Sequence, residues 1–191
     1  MFRPSHFSVV AIACIALNVQ AQDLDALKLD TRKQALPVLP KVVAMMKETV
    51  VAKGAVDAIP VCKDKAPQLI KEQSDKTGWQ MHRVSLKTRN PERGAPDVWE
   101  ARQLAEFNIR AANGEKPDTL EAGEIVSENG KQVYRYIKAI PVGDVCLACH
   151  GAREGLDAAL KDQLARSYPH DRAVDYQLGQ IRGALSVRRP L

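Results

Sequence analysis

The residues best suited to chemistry are Cys146-Leu147-Ala148-Cys149-His150. Two thiols separated by two residues, followed at once by an imidazole, form the attachment pattern of a c-type haem. The spacing lets both sulfurs reach the vinyl groups of one porphyrin and delivers the imidazole to one face of the iron. We therefore expect one covalent haem c held by Cys146 and Cys149, with His150 as an axial ligand. The second ring nitrogen of His150 should hydrogen-bond to a carbonyl or carboxylate, which sets the basicity of the ligand. Two other chemistries use the same residues. The thiols could form a disulfide redox pair, but such a pair normally opens a helix after a parallel strand, whereas this one follows a hairpin signal late in the chain. A zinc site could combine Cys62, Cys146, Cys149 and a histidine, although no second paired motif is present.

Cysteine arithmetic singles out one more residue. The chain has four cysteines. Cys14 lies within an apolar run, Phe7 to Leu17, which follows Arg3 and precedes Val19-Gln20-Ala21. That is the layout of a signal peptide, residues 1–21, cleaved after Ala21. It implies export to the periplasm, where covalent haem attachment takes place. Three thiols remain; haem takes two, and Cys62 is left over in an oxidising compartment. Competing distal donors are His82, His170, Met45, Met46 and Met81. Met46 fits the apolar stripe of a helix, and Met81 and His82 fall in an alternating strand, so packing explains each of them without ligation.

The 191 residues carry a formal charge of +5, which becomes +4 once Arg3 is removed. Residues 22–191 have the length of a single domain. The basic residues are dispersed among acids, which argues against nucleic acid and leaves an acidic protein partner open. No apolar segment in the mature chain is long enough to span a membrane.

These groups must be positioned by regular elements. Leu36, Leu39, Val43, Met46 and Val50 recur at helical spacing and predict a helix over 31–53, with Pro37 and Pro40 in or before its first turns and Gly54 at its end. Residues 57–76 read as a second helix, interrupted by Pro60 and Pro67 and closed by Gly78. Residues 79–88 alternate as a strand. Asp97 with Glu100 forms a capping box for a helix that stops at Asn113-Gly114. Asn129-Gly130 between alternating segments predicts a β-hairpin, with Tyr134 and Tyr136 on one face and Val133, Arg135 and Ile137 on the other. A short helix over 156–166 and a strand over 181–188 close the chain. The order predicts an α+β domain: an antiparallel sheet flanked by helices, with helices at the N-terminus.

Several spaced motifs carry a resemblance. Ile59-Pro60-Val61-Cys62 with Ala66-Pro67, RVSLKTRNP at 83–91, Pro96-Asp97 with Trp99-Glu100, and GQIRGALSV at 179–187 together resemble the single-haem c-type domain family with a PAS-like fold. The resemblance implies a PAS-like sheet and a six-coordinate haem. It also implies a cysteine as second axial ligand, which falls on Cys62. Members include sensor input domains and standalone exported proteins, and this chain is similar to the latter.

Lys63 and Lys65 would favour the Cys62 thiolate if their side chains turned towards it. Arg83, Lys87, Arg89 and Arg93 are dense enough to contact the haem propionates, Arg83 and Arg89 foremost; a solvated basic face explains the same density. Tyr134, Tyr136 and Trp99 either pack on the porphyrin or fill the core. A thiolate ligand favours ferric iron, so the first functional expectation is redox or diatomic-gas sensing through a His/Cys-ligated haem with a labile thiolate. The alternatives are a soluble periplasmic electron carrier and, in another class, a thiol–disulfide oxidoreductase using Cys146 and Cys149. No catalytic acid–base pair stands out, and enzymatic turnover is not the favoured reading.

Overall fold

A computed structural model describes residues 23–191, so the leader expected over 1–21 lies outside the described residues. The chain opens with helix α1 over 23–35. Helix α2 (Val38–Pro60) follows a two-residue turn, then a π-helical turn (Val61–Lys65) and α3 (Ala66–Thr77). The helix expected over 31–53 starts at Val38, with Pro37 and Pro40 before and in its first turn as expected, and residues 31–35 belong to α1 instead. Pro37 is the N-cap residue of α2, and its ring is incompatible with an uninterrupted hydrogen-bond ladder. Gly54 does break the helix as expected: it leaves helical geometry with φ 85° while the chain resumes helix beyond it. Gly78 ends α3 in the left-handed conformation.

Four strands form one antiparallel sheet in the order β1-β4-β3-β2, where β1 is Gln80–Val84, β2 Glu121–Glu128, β3 Lys131–Pro141 and β4 Ile181–Pro190. The domain is α+β, as the element order required. β1 is shorter than the expected 79–88, and Lys87 and Thr88 run on as irregular chain. The β2–β3 hairpin turns at Asn129 (φ 51°) and Gly130 (φ 76°), two successive positive φ values that match the right-handed twist of the strands. Between β1 and β2 lie the short α4 (Pro91–Gly94) and α5 (Val98–Ala112). The box at the start of α5 is complete: Asp97 Oδ1 accepts from the Glu100 amide and Glu100 Oε2 accepts from the Asp97 amide, both at 2.9 Å. After β3 come α6 (Asp144–His150) and α7 (Ala158–Ser167).

Both sheet faces are covered, which is why β3 and β4 are buried almost continuously. On one side Met81, Tyr134, Tyr136, Leu185 and Val187 pack under α1–α3 through Ala35, Val38 and Ile70. On the other, Val84, Ile137, Ala139 and Ala184 meet Leu104 and Phe107 of α5. Tyr134 and Tyr136 thus fill core, and Trp99 lies under the Arg135 guanidinium, 4.5 Å from ring centre to Cζ. Smaller clusters anchor α6 from two sides: Ile59, Cys149, Leu160, Leu164 and Tyr168 on one, and Val142, Ala173 and Tyr176 on the other.

A buried ionic network joins α5 to the sheet. Glu100 is only 1% exposed. Burial opposes its ionisation, but hydrogen bonds from His82, from Ser186 Oγ at 2.6 Å and from the Asp97 amide outweigh that cost and hold the carboxyl at about 2. A carboxylate depressed from 4.5 to about 2 stabilises the fold fully above pH ~4.5 and loses that contribution as pH falls towards 2. The loss from this one group is on the order of 3 kcal/mol. Urea titrations at pH 6 and pH 3 should show a steep acid loss in the wild type and a shallower one in Glu100→Gln; identical acid slopes would contradict this assignment.

Candidate cofactor site

Helix α6 presents the pentapeptide. Cys146 and Cys149 are three positions apart, so they lie on one helix face, and His150 follows on the last turn. Gly151, just beyond, is compulsory: a Cβ there would stand 2.7 Å from the Leu147 carbonyl oxygen. Cys62, Cys146 and Cys149 form no disulfide with one another. Burial pushes the Cys149 thiol up from its ordinary value, the opposite of what a thiol–disulfide nucleophile needs.

His150 is held in one tautomer. Its Nδ1 donates to the Ala173 carbonyl at 2.6 Å, so the carbonyl partner expected for this ring is present. The Nε2 lone pair then points away from that contact and accepts from Arg182 Nε at 3.3 Å. Burial, followed by the positive charges of Arg182 and Arg89, pulls the imidazole well below its ordinary pKa and keeps it neutral. The Tyr176 ring meets it edge-on at 6.2 Å.

The π-helical turn after Pro60 carries Cys62 to the same place. Cys62, His150, Cys146 and Cys149 line one cleft together with Leu39, Val42, Met46, Ile70 and Ile140. Burial pushes the Cys62 thiol up to about 11. The cations facing it are Arg89, Arg83 and Arg182, not the neighbouring Lys63 and Lys65, and they act against that rise. Met46, a competing donor for which packing was the favoured reading, touches it: the Met46 Sδ is in contact with the Cys62 Sγ. The other candidate donors go elsewhere. His82 pairs with Glu100 at 3.2 Å, Met81 packs in the sheet core, and His170 is exposed.

The cleft has two chemically different halves. One is apolar, with an enclosed volume of about 200 Å³, and opens to solvent. The other shares Cys62, Arg83, Arg89, His150 and Arg182 with it and adds Lys63 and Arg93. Arg89 is 9% and Arg182 5% exposed. Arg89 has a carboxylate partner, Asp171 at 3.0 Å, and also donates to the carbonyls of Cys149 (2.6 Å) and Ala173 (3.3 Å). Arg182 has none; it donates to Ser85 Oγ and to the Lys87 carbonyl. Arg83, half-buried, has no hydrogen bond or ion pair from its side chain among the described residues. Burial and the adjacent Arg83 charge pull Arg182 down to about 9, and burial likewise lowers Arg83. Buried guanidinium groups without carboxylates are costly unless an anion completes the site.

The residues therefore fit a group with an apolar body and anionic edges, reachable by two thiols, one neutral imidazole and one further sulfur. Haem has that shape and charge. Among the described residues no group of three or more His, Cys, Asp and Glu stands in an arrangement that could hold a bare metal ion. Arg182, Tyr168 and Tyr176 were missed from the sequence as site residues, and Met46 was named there only as a competing donor better explained by packing. For Arg182 the available signal was its place within the GQIRGALSV segment.

A family model described as Tll0287-like (Tll0287) matches residues 16–190, and the chain belongs to that family. Among solved structures it is similar to the cyanobacterial haem protein Tll0287. The TM-score is 0.63 at 23% identity, over 84% of this chain and 95% of that one, a likeness of fold. No curated protein matches the chain.

Proposed function

We propose that this is an exported monohaem c-type cytochrome that senses redox state or a diatomic gas through a His/Cys-ligated haem. The observation that carries the reading is the convergence, in one amphipathic cleft, of the pentapeptide, the leftover thiol Cys62, and buried Arg182 with half-buried Arg83, neither of which has a carboxylate partner among the described residues. The relative Tll0287 is described as a haem protein, which supports the same cofactor here. The pairing of the first strand with the last at one side of the sheet supports the PAS-like reading.

When bound, the haem supplies a one-electron iron couple and a coordination site for small ligands. Cys146 and Cys149 hold it covalently. His150 gives its Nε2 lone pair, fixed in direction by the Ala173 carbonyl. For that, Arg182 must release Nε2, and it then serves with Arg83 as a partner for the propionates. Arg89 chiefly ties the end of α6 to the 171–173 segment and is the secondary anionic contact. Cys62 would be held as the thiolate, although burial alone favours the thiol. Leu39, Val42, Ile70 and Ile140 line the apolar side of the cleft beside it. Lys63 and Arg93 at the cationic side suit an acidic redox partner in the periplasm. No helix among the described residues is long and apolar enough to cross a membrane.

Cys62→Ala should abolish the thiolate signature in the ferric EPR spectrum; an unchanged spectrum would sink Cys62 as ligand. Exposing the ferrous wild type to CO separates the roles. Uptake supports sensing, and refusal supports a soluble electron carrier whose ligands persist.

A further inference from the structure

We propose that Met46 is a second sulfur donor to the iron, taking the position of Cys62 whenever the thiolate is not bound. The proposal rests on the haem reading above. It starts from a contact between two sulfur side chains. Met46 lies in α2 and Cys62 in the following π-helical turn, sixteen residues later, yet their sulfurs touch. Both line the apolar half of the cleft that also holds Cys146, Cys149 and His150. A donor that reaches the Cys62 sulfur this closely addresses the same coordination position with little rearrangement.

The two sulfurs are chemically complementary. A thiolate is anionic and stabilises ferric iron; a thioether is neutral and, paired with histidine, raises the potential and suits the ferrous state. Exchange between them breaks one iron–sulfur bond and forms another. The departing cysteine sulfur keeps its lone pair and takes a proton from solvent, and the thioether donates its own lone pair, so the exchange itself moves no electron. Methionine is also the side chain best able to make the reach, being unbranched with three rotatable bonds. Its neighbours around the cleft, Leu39, Val42 and Val43, offer no competing donor. The consequence is that loss of Cys62 does not leave an open position. An incoming gas must displace a thioether, which strong ligands do and weak ones do not.

The test compares holoprotein variants optically and by EPR, with no activity assay. Cys62→Ala should remain six-coordinate and low-spin, with the far-red charge-transfer band of thioether-ligated ferric haem. Cys62→Ala/Met46→Leu should lose that band and become high-spin or water-ligated. Selenomethionine incorporation into Cys62→Ala, which leaves the packing intact, should shift the band. A Cys62→Ala protein that is already high-spin, or whose spectrum ignores both changes at Met46, overturns the proposal while leaving a coloured wild type and the haem reading in place. A wild type with no covalent haem overturns both.

Discussion

Cys146→Ala/Cys149→Ala should yield protein from which acidified organic solvent extracts every trace of haem, whereas extraction from the wild type removes none. The expected effect is all or none because thioethers are covalent bonds, and no arrangement of surrounding contacts replaces them. Each single substitution should leave one thioether, hence a coloured denatured band with the optical shift of a remaining vinyl group. Cys149 faces Ile59, Leu160 and Leu164, so truncation to alanine removes one small buried atom from that cluster. Lost colour would therefore report lost attachment rather than a lost fold, and the far-UV circular dichroism of the double variant checks this. Colour that resists extraction in the double variant would contradict the assignment of both cysteines.

The largest expected effect on stability lies in β4. Gly183 has φ 157°, and a Cβ there would stand 2.3 Å from the Val84 carbonyl oxygen and 3.2 Å from Ser85 Cβ. The obstacle is backbone in a paired strand, Val84 facing Ala184 across β1 and β4, so it cannot swing aside as a side chain would. Overpacking and an unfavourable φ each cost about 1–3 kcal/mol, and here they act together. Gly183→Ala should cost roughly 3–4 kcal/mol and lower Tm by about 10 °C. Gly155→Ala is the control: nothing lies within 4 Å of its added Cβ, and it should change stability by less than about 0.5 kcal/mol. Equal melting of the two variants would show that β1 and β4 do not approach this closely.

These two positions mark where sequence reading succeeds and where it stops. The pentapeptide is legible because its chemistry is local: spacing alone puts two sulfurs and an imidazole on one short helix. The Asn129-Gly130 turn, the Asp97/Glu100 box and the Gly78 stop are legible for the same reason, since each satisfies backbone groups within a few residues. Pro37 and Pro40 marked the start of α2, but the separate helix α1 ahead of them was hidden because the apolar stripe runs on through Pro37. The close approach at Gly183 depends on pairing with β1, some hundred residues away in sequence. Arg182 reads as one more basic residue in a strand. Only the sheet brings it to His150 and Arg83, and only burial reveals that no carboxylate answers it. Met46 satisfies the helical period whether it faces core or cleft, so periodicity cannot separate the two.

The central claim is that a single haem is bonded to this polypeptide through sulfur. Intact mass spectrometry under denaturing conditions, on protein matured with haem-attachment enzymes in the periplasm, tests it most directly. The account expects a mass above that of the processed polypeptide by one haem, with a Soret band that survives denaturation. A mass equal to the bare polypeptide, in colourless protein from cells that mature another c-type cytochrome normally, would contradict it.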